Sequence, residues 1–274
     1  MLGYAILGLI YKNREVSIEG VTMDYIQHFA SQSANYLHFR PTYPQALFSY
    51  LVSLIKTHDT AWDCATGNGQ AAVALSHYFK QVIATDINPA QLTVAPKKNN
   101  IHYYAWPAEK TQIAAHTINL ITIAQALHWL NFKRFYNEVK RVAAPNSIIA
   151  AWCYSLCTIN PTIDIYIKKL YFQILGETYL PKEVKHIYNQ YTSIPFPFTK
   201  QLTPQFFIEK EINLSQFIGY LQTWSAIKEY QMRLQKNPID LILNDLTKAW
   251  GDANQSHRIT WPIHLLVGYI SHNS

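Results

Sequence analysis

Eight consecutive residues, Asp63-Cys64-Ala65-Thr66-Gly67-Asn68-Gly69-Gln70, carry the densest chemical pattern in the chain. Two of its nine glycines fall here within three residues. Glycine permits positive φ and lets a ligand approach the main chain closely. A strand followed by such a loop and a helix N-terminus therefore forms a nucleotide cradle, although an ordinary tight turn uses glycine in the same way. Asp86 ends the next apolar run, seventeen residues beyond Gly69. A carboxylate there can accept hydrogen bonds from both hydroxyls of a ribose. Its alternative is to cap the helix that Pro89 opens, a role that Asn88 could fill instead. Loop and aspartate together point to a nucleoside ligand.

Which nucleoside depends on the residues around the loop. Gly67 to Ala72 satisfies GxGxxA, the spacing of a dinucleotide-binding turn, so a nicotinamide-dependent oxidoreductase is a rival reading. Asp63 discriminates. A carboxylate just before the loop opposes a pyrophosphate but suits the cationic methionine part of S-adenosylmethionine, directly or through water.

The elements that must position these residues follow from periodicity. Helical spacing covers 46–56, 70–79 and 132–142; short apolar strands cover Thr60–Asp63, Gln81–Asp86, Ile101–Tyr104, Thr117–Ala124 and Ser147–Trp152. Strands alternating with helices predict a Rossmann-like, doubly wound α/β sheet with helices on both faces. Beyond Cys153 the rhythm stops. Residues 161–175 read as helix, 194–198 (IPFPF) as loop, 205–211 as strand, 214–235 and 238–250 as helices, and 257–270 as a strand-like or helical end. The segment of about 154–203 is expected to be a helical lid inserted late in the sheet order.

Composition sets outer limits. With 49% hydrophobic and 15% charged residues the chain folds, and its 14% aromatic content suits an apolar pocket or an aromatic core equally. The formal charge of +6 comes from scattered lysines and arginines without a run of four, which gives nucleic acid and anionic lipid no polybasic tail. Three cysteines, Cys64, Cys153 and Cys157, lack zinc-ligand spacing and read as small buried hydrophobes in a reducing, cytoplasmic setting. The apolar run near the N-terminus spans only about ten residues, against the roughly twenty needed to cross a bilayer. Residues 1–22 are expected to be a dispensable extension, and 23–274 the working domain.

DCATGNGQAAVAL, IATDINPAQL, YYAWPAEKTQI and INLITIAQALHWLNFKRFYNEVKRV together resemble class I S-adenosylmethionine-dependent methyltransferases, in the subgroup that includes trans-aconitate methyltransferase-like enzymes. The resemblance extends to FASQSANYLHFRPTYPQAL, GYLQTWSAIKEYQ and WPIHLLVGY, and so covers roughly residues 24–270. It implies a seven-stranded sheet, parallel except for a reversed last strand, with S-adenosylmethionine as cofactor and no metal. By position it implies Asp63, Ala65, Gly67 and Gly69 around the methionine moiety and Asp86 on the ribose. Ala108 and Glu109 would flank the adenine, Gln125, Ala126 and His128 would line the floor near the sulfonium, and Tyr36 and Arg40 would close over the cofactor. Trp129, Trp224 and Ser225 are the further acceptor contacts it suggests. Two positions depart from the pattern. Ala65 replaces a common glycine, which a backbone with negative φ tolerates, and Asn119 stands where an aspartate is usual, a structural position.

Methyl transfer from a sulfonium is an in-line displacement that needs alignment and exclusion of water. A carboxylate acceptor, as the trans-aconitate resemblance implies, is ionised at neutral pH and needs only cationic or hydrogen-bonding groups, Arg40 among them. A hydroxyl or amine would need a base, and His128 is the candidate; its bland alternative is packing beside Trp129. Trp224 and Ser225 could equally be core, and Arg40 a surface residue before Pro41. Gln125-Ala126-Leu127-His128 stands where exocyclic-amine methyltransferases carry Asn/Asp-Pro-Pro-Tyr/Phe, and no RNA-binding module is appended. A small organic molecule is the expected acceptor. A nucleoside-binding protein without turnover is the alternative of another class.

Overall fold

The computed structural model describes residues 39–271; Tyr36 and the expected 1–22 extension lie outside them. By internal contacts the chain forms two units. The first contains Thr42–Leu156, Glu183–Ile208 and 261–271; the second contains 39–41, Cys157–Lys182 and Glu209–Thr260. The segment expected as a lid is thus divided between them.

The first unit is built on β1 (Thr60–Cys64), β2 (Gln81–Thr85), β3 (Ile101–Tyr104), β4 (Ile118–Ala124) and β5 (Ala143–Tyr154). Its helices are α1 (Gln45–Ser53), α2 (Gln70–Leu75), α3 (Pro89–Thr93) and α4 (Phe132–Val142). The sheet order begins β3-β2-β1-β4-β5, and these five strands are parallel. β4 reads INLITIA because a central parallel strand is covered on both faces. Alternation then sorts the side chains. Trp62, Cys64, Ile121, Ile123, Ile149, Ala151 and Cys153 form one core cluster with Phe135 and Val139 of α4. On the opposite face Trp152 of β5 meets Phe48 of α1 edge-on, with ring centroids 6.0 Å apart. This is the expected α/β fold with helices on both faces. Strand order reverses between β1 and β4, and ligands in such sheets bind outside the carboxyl ends of the strands at that switch point.

β8 (His257–Tyr269) runs antiparallel to β5, which makes the long last element the reversed strand. Among the described residues the sheet has eight strands where seven were expected, because two segments pair with β8: the two-residue β6 (Thr199–Lys200) and β7 (Phe206–Ile212).

In the second unit the helix expected at 161–175 is α-helical only as α5 (Pro161–Lys168), after which Lys169–Leu175 forms a π-helical turn. The expected single helix at 214–235 is two, α6 (Leu214–Gln222) and α7 (Ser225–Leu234), followed by α8 (Asp240–Trp250). The break has a local cause. The Thr223 hydroxyl donates back to the Tyr220 carbonyl (2.6 Å), and Trp224, extended at ψ 130°, buries its indole. A hydroxyl bonded to the preceding turn competes with helix continuation.

All three cysteines are buried free thiols, and burial pushes each thiol above its ordinary pKa. Among the described residues no helix is long and apolar enough to cross a membrane, and no group of three His, Cys, Asp or Glu could hold a metal ion.

Candidate functional site

At the exit of β1 the chain turns through Ala65 (φ 52°), Gly67 (φ 57°) and Gly69 (φ 83°) into α2. The expectation that Ala65 has negative φ is corrected: alanine here occupies the left-handed region, held in place by the Thr66 amide donating to the Thr85 carbonyl (2.9 Å). Such a conformation costs a residue with a Cβ about 1 kcal/mol. The two glycines differ. A Cβ on Gly69 would lie 2.6 Å from the Tyr103 hydroxyl, whereas one on Gly67 would meet nothing within 4 Å. Gly69 is a packing glycine, and Gly67 presents bare backbone to open space.

Asp63 lies behind this loop, only 1% exposed. Register pairs it with Thr122 of β4, whose hydroxyl donates to one carboxylate oxygen at 2.8 Å; the Thr66 hydroxyl donates to the other. Burial pushes its carboxyl up to about 6, against the opposing pull of Thr66, Thr122 and the Ala72 amide in the first turn of α2. Asp63 therefore braces loop and helix from beneath.

At the exit of β2, Asp86 accepts from the Gly67 amide with Oδ2 and from the Asn88 amide with Oδ1, both at 2.8 Å. Burial raises its pKa above the usual carboxylate range, opposed by those two amides. Asn88, not Asp86, caps α3, its side chain accepting from the Ala90 amide at 3.0 Å. That leaves Asp86 to tie the β2 exit to the glycine loop. Beside it Ile87 is 70% exposed. Ala108 turns its side chain into the core cluster, so only its backbone remains for a ligand. Glu109 accepts from the Asn131 amide at the start of α4 (3.1 Å).

The exit of β4 is also strained, with Gln125 at φ 56°. The Gln125 amide donates to the Trp152 carbonyl at 2.8 Å, yet its side-chain Oε1 is buried with no hydrogen-bond partner among the described residues. His128, 2% exposed, packs against Trp129 and shares a 2.9 Å hydrogen bond between Nδ1 and the hydroxyl of the fully buried Tyr191. Among the described residues its Nε2 has no hydrogen-bond partner, and neither does the buried Nε1 of Trp152. Burial, reinforced by the charge of His186, pushes the imidazole down to about 3. A neutral, enclosed imidazole of that basicity is a poor proton acceptor at pH 7, which weighs against the base expected from the sequence. Asn119 plays a structural part, its Oδ1 accepting from the Thr60 amide at 3.0 Å.

Asp63, Ala65, Gly67, Gly69, Asp86, Ala108, Glu109, Gln125, Ala126, His128 and Trp129 thus all belong to the first unit. Arg40, Trp224 and Ser225 belong to the second.

Residues 62–151 match the methyltransferase domain family. A Saccharomyces cerevisiae protein described as an S-adenosylmethionine-dependent methyltransferase is 24% identical over 269 residues, 84% of this chain and 92% of that protein. A Dictyostelium discoideum protein named as a methyltransferase is 31% identical over 245 residues, 87% of this chain and 93% of its own length. The chain belongs to the S-adenosylmethionine-dependent methyltransferases. A solved structure from Anaeromyxobacter dehalogenans, described as a type II methyltransferase, agrees in fold with a TM-score of 0.80 at 35% identity, covering 86% of this chain and all of that one. Membership implies S-adenosylmethionine as the cofactor and sets aside the oxidoreductase reading of the GxGxxA spacing.

The residues of this methyltransferase fit such a cofactor. Gly67 leaves room for it, Asp86 keeps two carboxylate oxygens at the same loop, and Ile87 offers an apolar surface next to them. Sequence reasoning missed Ile87, although an apolar residue between a strand-ending acid and the Asn88-Pro89 helix start has no core to enter. It also missed Tyr191, for which no spacing signal exists, since it lies 63 residues from His128.

Proposed function

We propose that this methyltransferase transfers the methyl group of S-adenosylmethionine to a carboxylate oxygen of a small organic acid. The observation that carries the reading is the state of the β4 exit. The His128 imidazole placed there is buried, neutral and bonded to Tyr191, an arrangement that supports an acceptor requiring no base. A carboxylate is such an acceptor, because it attacks without first losing a proton.

On this reading the backbone from Ala65 to Gly69 faces the methionine part of the cofactor, with Asp63 holding the loop in shape. Asp86 accepts from the ribose hydroxyls, Ile87 covers one face of the adenine, and the backbone at Ala108 and Glu109 borders it. Gln125 and Ala126 form the floor beside the sulfonium. When bound, S-adenosylmethionine supplies a methyl group already activated by the positive sulfur. The residues of the chain orient the two reactants and keep water away. The buried polar atoms of Gln125, His128 and Trp152 would orient the acceptor.

The test is transfer of isotope-labelled methyl to matched panels of small acids, alcohols and amines. Label carried on the acids and released as methanol by mild alkali is the expected result, since methyl esters hydrolyse where ethers and N-methyl groups do not. Alkali-stable label on an alcohol or amine would sink the carboxylate assignment. No transfer to any panel, with S-adenosylhomocysteine still bound, would favour the silent nucleoside-binding alternative.

A further inference from the structure

Tyr191 is held in a strained place. It and Gln190 are consecutive residues in the left-handed region, at φ 60° and 54°, an outlier conformation for a bulky side chain. The surrounding segment fixes them there. The Tyr191 amide donates to the His186 carbonyl at 2.7 Å, the Gln190 amide to the Ile187 carbonyl at 2.9 Å, and the Ile194 amide to the Tyr191 carbonyl at 3.1 Å. What this strain delivers is a fully buried phenol in the core of the first unit, its ring centroid 5.9 Å from that of His128. Backbone strain of this kind persists only where the rest of the structure over-determines it, so the group it positions is a place to look for function.

The direction of the 2.9 Å hydrogen bond between the Tyr191 hydroxyl and His128 Nδ1 follows from counting donors. Among the described residues, Nδ1 is the hydrogen-bonding atom that can accept from the phenol. If Nδ1 carried the proton and donated, the buried O–H would go unbonded and Nε2 would be a bare, buried lone pair. If Tyr191 donates, hydroxyl and Nδ1 are both satisfied and the imidazole hydrogen sits on Nε2. The second arrangement leaves fewer buried groups unpaired, and burial supports it by holding the phenol in its protonated form. Nε2–H is then a buried donor with no acceptor among the described residues, in the turn Leu127–Trp129 that follows β4 at the carboxyl end of the sheet. A neutral N–H away from water binds an anionic oxygen more strongly than a neutral one. The opposite tautomer would present a lone pair, which repels a carboxylate and suits a hydroxyl. Held by Nε2–H through one oxygen, a carboxylate keeps the other for the methyl group.

We propose that Tyr191 is a positioning residue, donating to His128 Nδ1 and thereby fixing Nε2–H as the donor to a carboxylate oxygen of the methyl acceptor. The inference deepens the acid-acceptor reading and rests on it.

The experiment is nitrogen-15 NMR of the full chain, labelled in histidine and saturated with S-adenosylhomocysteine, with His128→Leu identifying the His128 signals. Acetate is the probe, small enough for a site that takes larger acids, and acetamide is its neutral control, at ionic strength held constant with chloride. In wild type at pH 7, Nε2 should carry the proton and Nδ1 should show the signal of a hydrogen-bonded, unprotonated nitrogen. Acetate should shift the Nε2–H resonance and acetamide should not. His128→Leu should weaken acetate binding about tenfold. Tyr191→Phe should move Nδ1 to the position of an unbonded ring nitrogen and weaken acetate binding about threefold, with S-adenosylhomocysteine affinity unchanged. Added to His128→Leu, it should weaken acetate no further, because it acts through the imidazole; a further loss would mean a merely structural tyrosine. A proton on Nδ1 in wild type, or an Nε2–H resonance that acetate leaves unmoved, overturns the inference whether or not the Tyr191→Phe chain folds. If acetate engages Nε2–H while only alcohols or amines accept labelled methyl, the acid-acceptor reading fails and the carboxylate donor stands. If acids are methylated while Nδ1 carries the proton, the reading stands and the role of Tyr191 falls.

Discussion

Two strand exits of one sheet, those of β1 and β4, are built on opposite plans. At the β1 exit every carboxylate oxygen is engaged: Asp63 by Thr66 and Thr122, and Asp86 of the adjoining β2 exit by the Gly67 and Asn88 amides. Backbone does the presenting and side chains brace it from behind. At the β4 exit, and beside it on β5, Gln125 Oε1, His128 Nε2 and Trp152 Nε1 are buried without hydrogen-bond partners among the described residues. Leaving a buried polar atom unpaired costs about 1–3 kcal/mol. On the proposed reading, the chain satisfies its own polar groups where the cofactor would lie, and leaves them without partners among the described residues where the acceptor would lie. A braced loop tolerates little change, whereas an unsatisfied floor can be retuned one side chain at a time.

The sharpest way to test that division is pH. Asp63 has a folded pKa of about 6 against an ordinary 3.8, so the folded chain binds this proton more tightly than the unfolded chain. Stability from this group is therefore present below about pH 4 and falls by about 3 kcal/mol as pH rises to about 6, then levels off. Asp63→Asn should remove that slope from urea unfolding curves measured at pH 4, 5, 6 and 7. An unchanged slope would mean that Asp63 is not the strained brace of the loop.

Cofactor affinity offers the next largest contrast. Asp86→Ala should weaken S-adenosylhomocysteine binding about a hundredfold, through loss of two charge-assisted hydrogen bonds, while Gln125→Ala changes it by about threefold or less. Equal losses in calorimetry would erase the distinction between the two exits. A smaller effect is expected from Tyr191→Phe, which strips the buried His128 Nδ1 of its partner. Unfolding free energy should drop by about 1–2 kcal/mol with the denaturant slope and nucleoside affinity unchanged. Smallest is Ala65→Gly, expected to stabilise the chain by about 1 kcal/mol because glycine enters the left-handed region without a Cβ clash. A loss of stability there would argue that the alanine methyl packs usefully against the core.

The same contrast governs what could be read before the fold was known. Backbone demands leave marks in a sequence, so the glycine pair, the strand-ending Asp86 and the alternating elements were legible. Ala65 was misjudged because alanine is silent about φ: the left-handed turn is held by the Thr66 to Thr85 hydrogen bond from the loop to β2, which no local pattern reports. The α6–α7 break was hidden for a similar reason, since apolar periodicity runs straight through Thr223 and Trp224 while a hydroxyl and an extended tryptophan interrupt the backbone. His128 was visible as a histidine, but its low basicity comes from burial and the charge of His186, and its hydrogen bond from Tyr191, all supplied by distant parts of the chain.

The three buried thiols carry a practical consequence. Burial keeps each in the unreactive protonated form, so alkylating reagents reach them only when the surrounding structure opens. Cys64 and Cys153 report on β1 and β5, whereas Cys157 belongs to the second unit. Pulsed alkylation read by peptide mass would then resolve breathing of each unit separately, with no engineered label, and show which of the two a nucleoside ligand quiets.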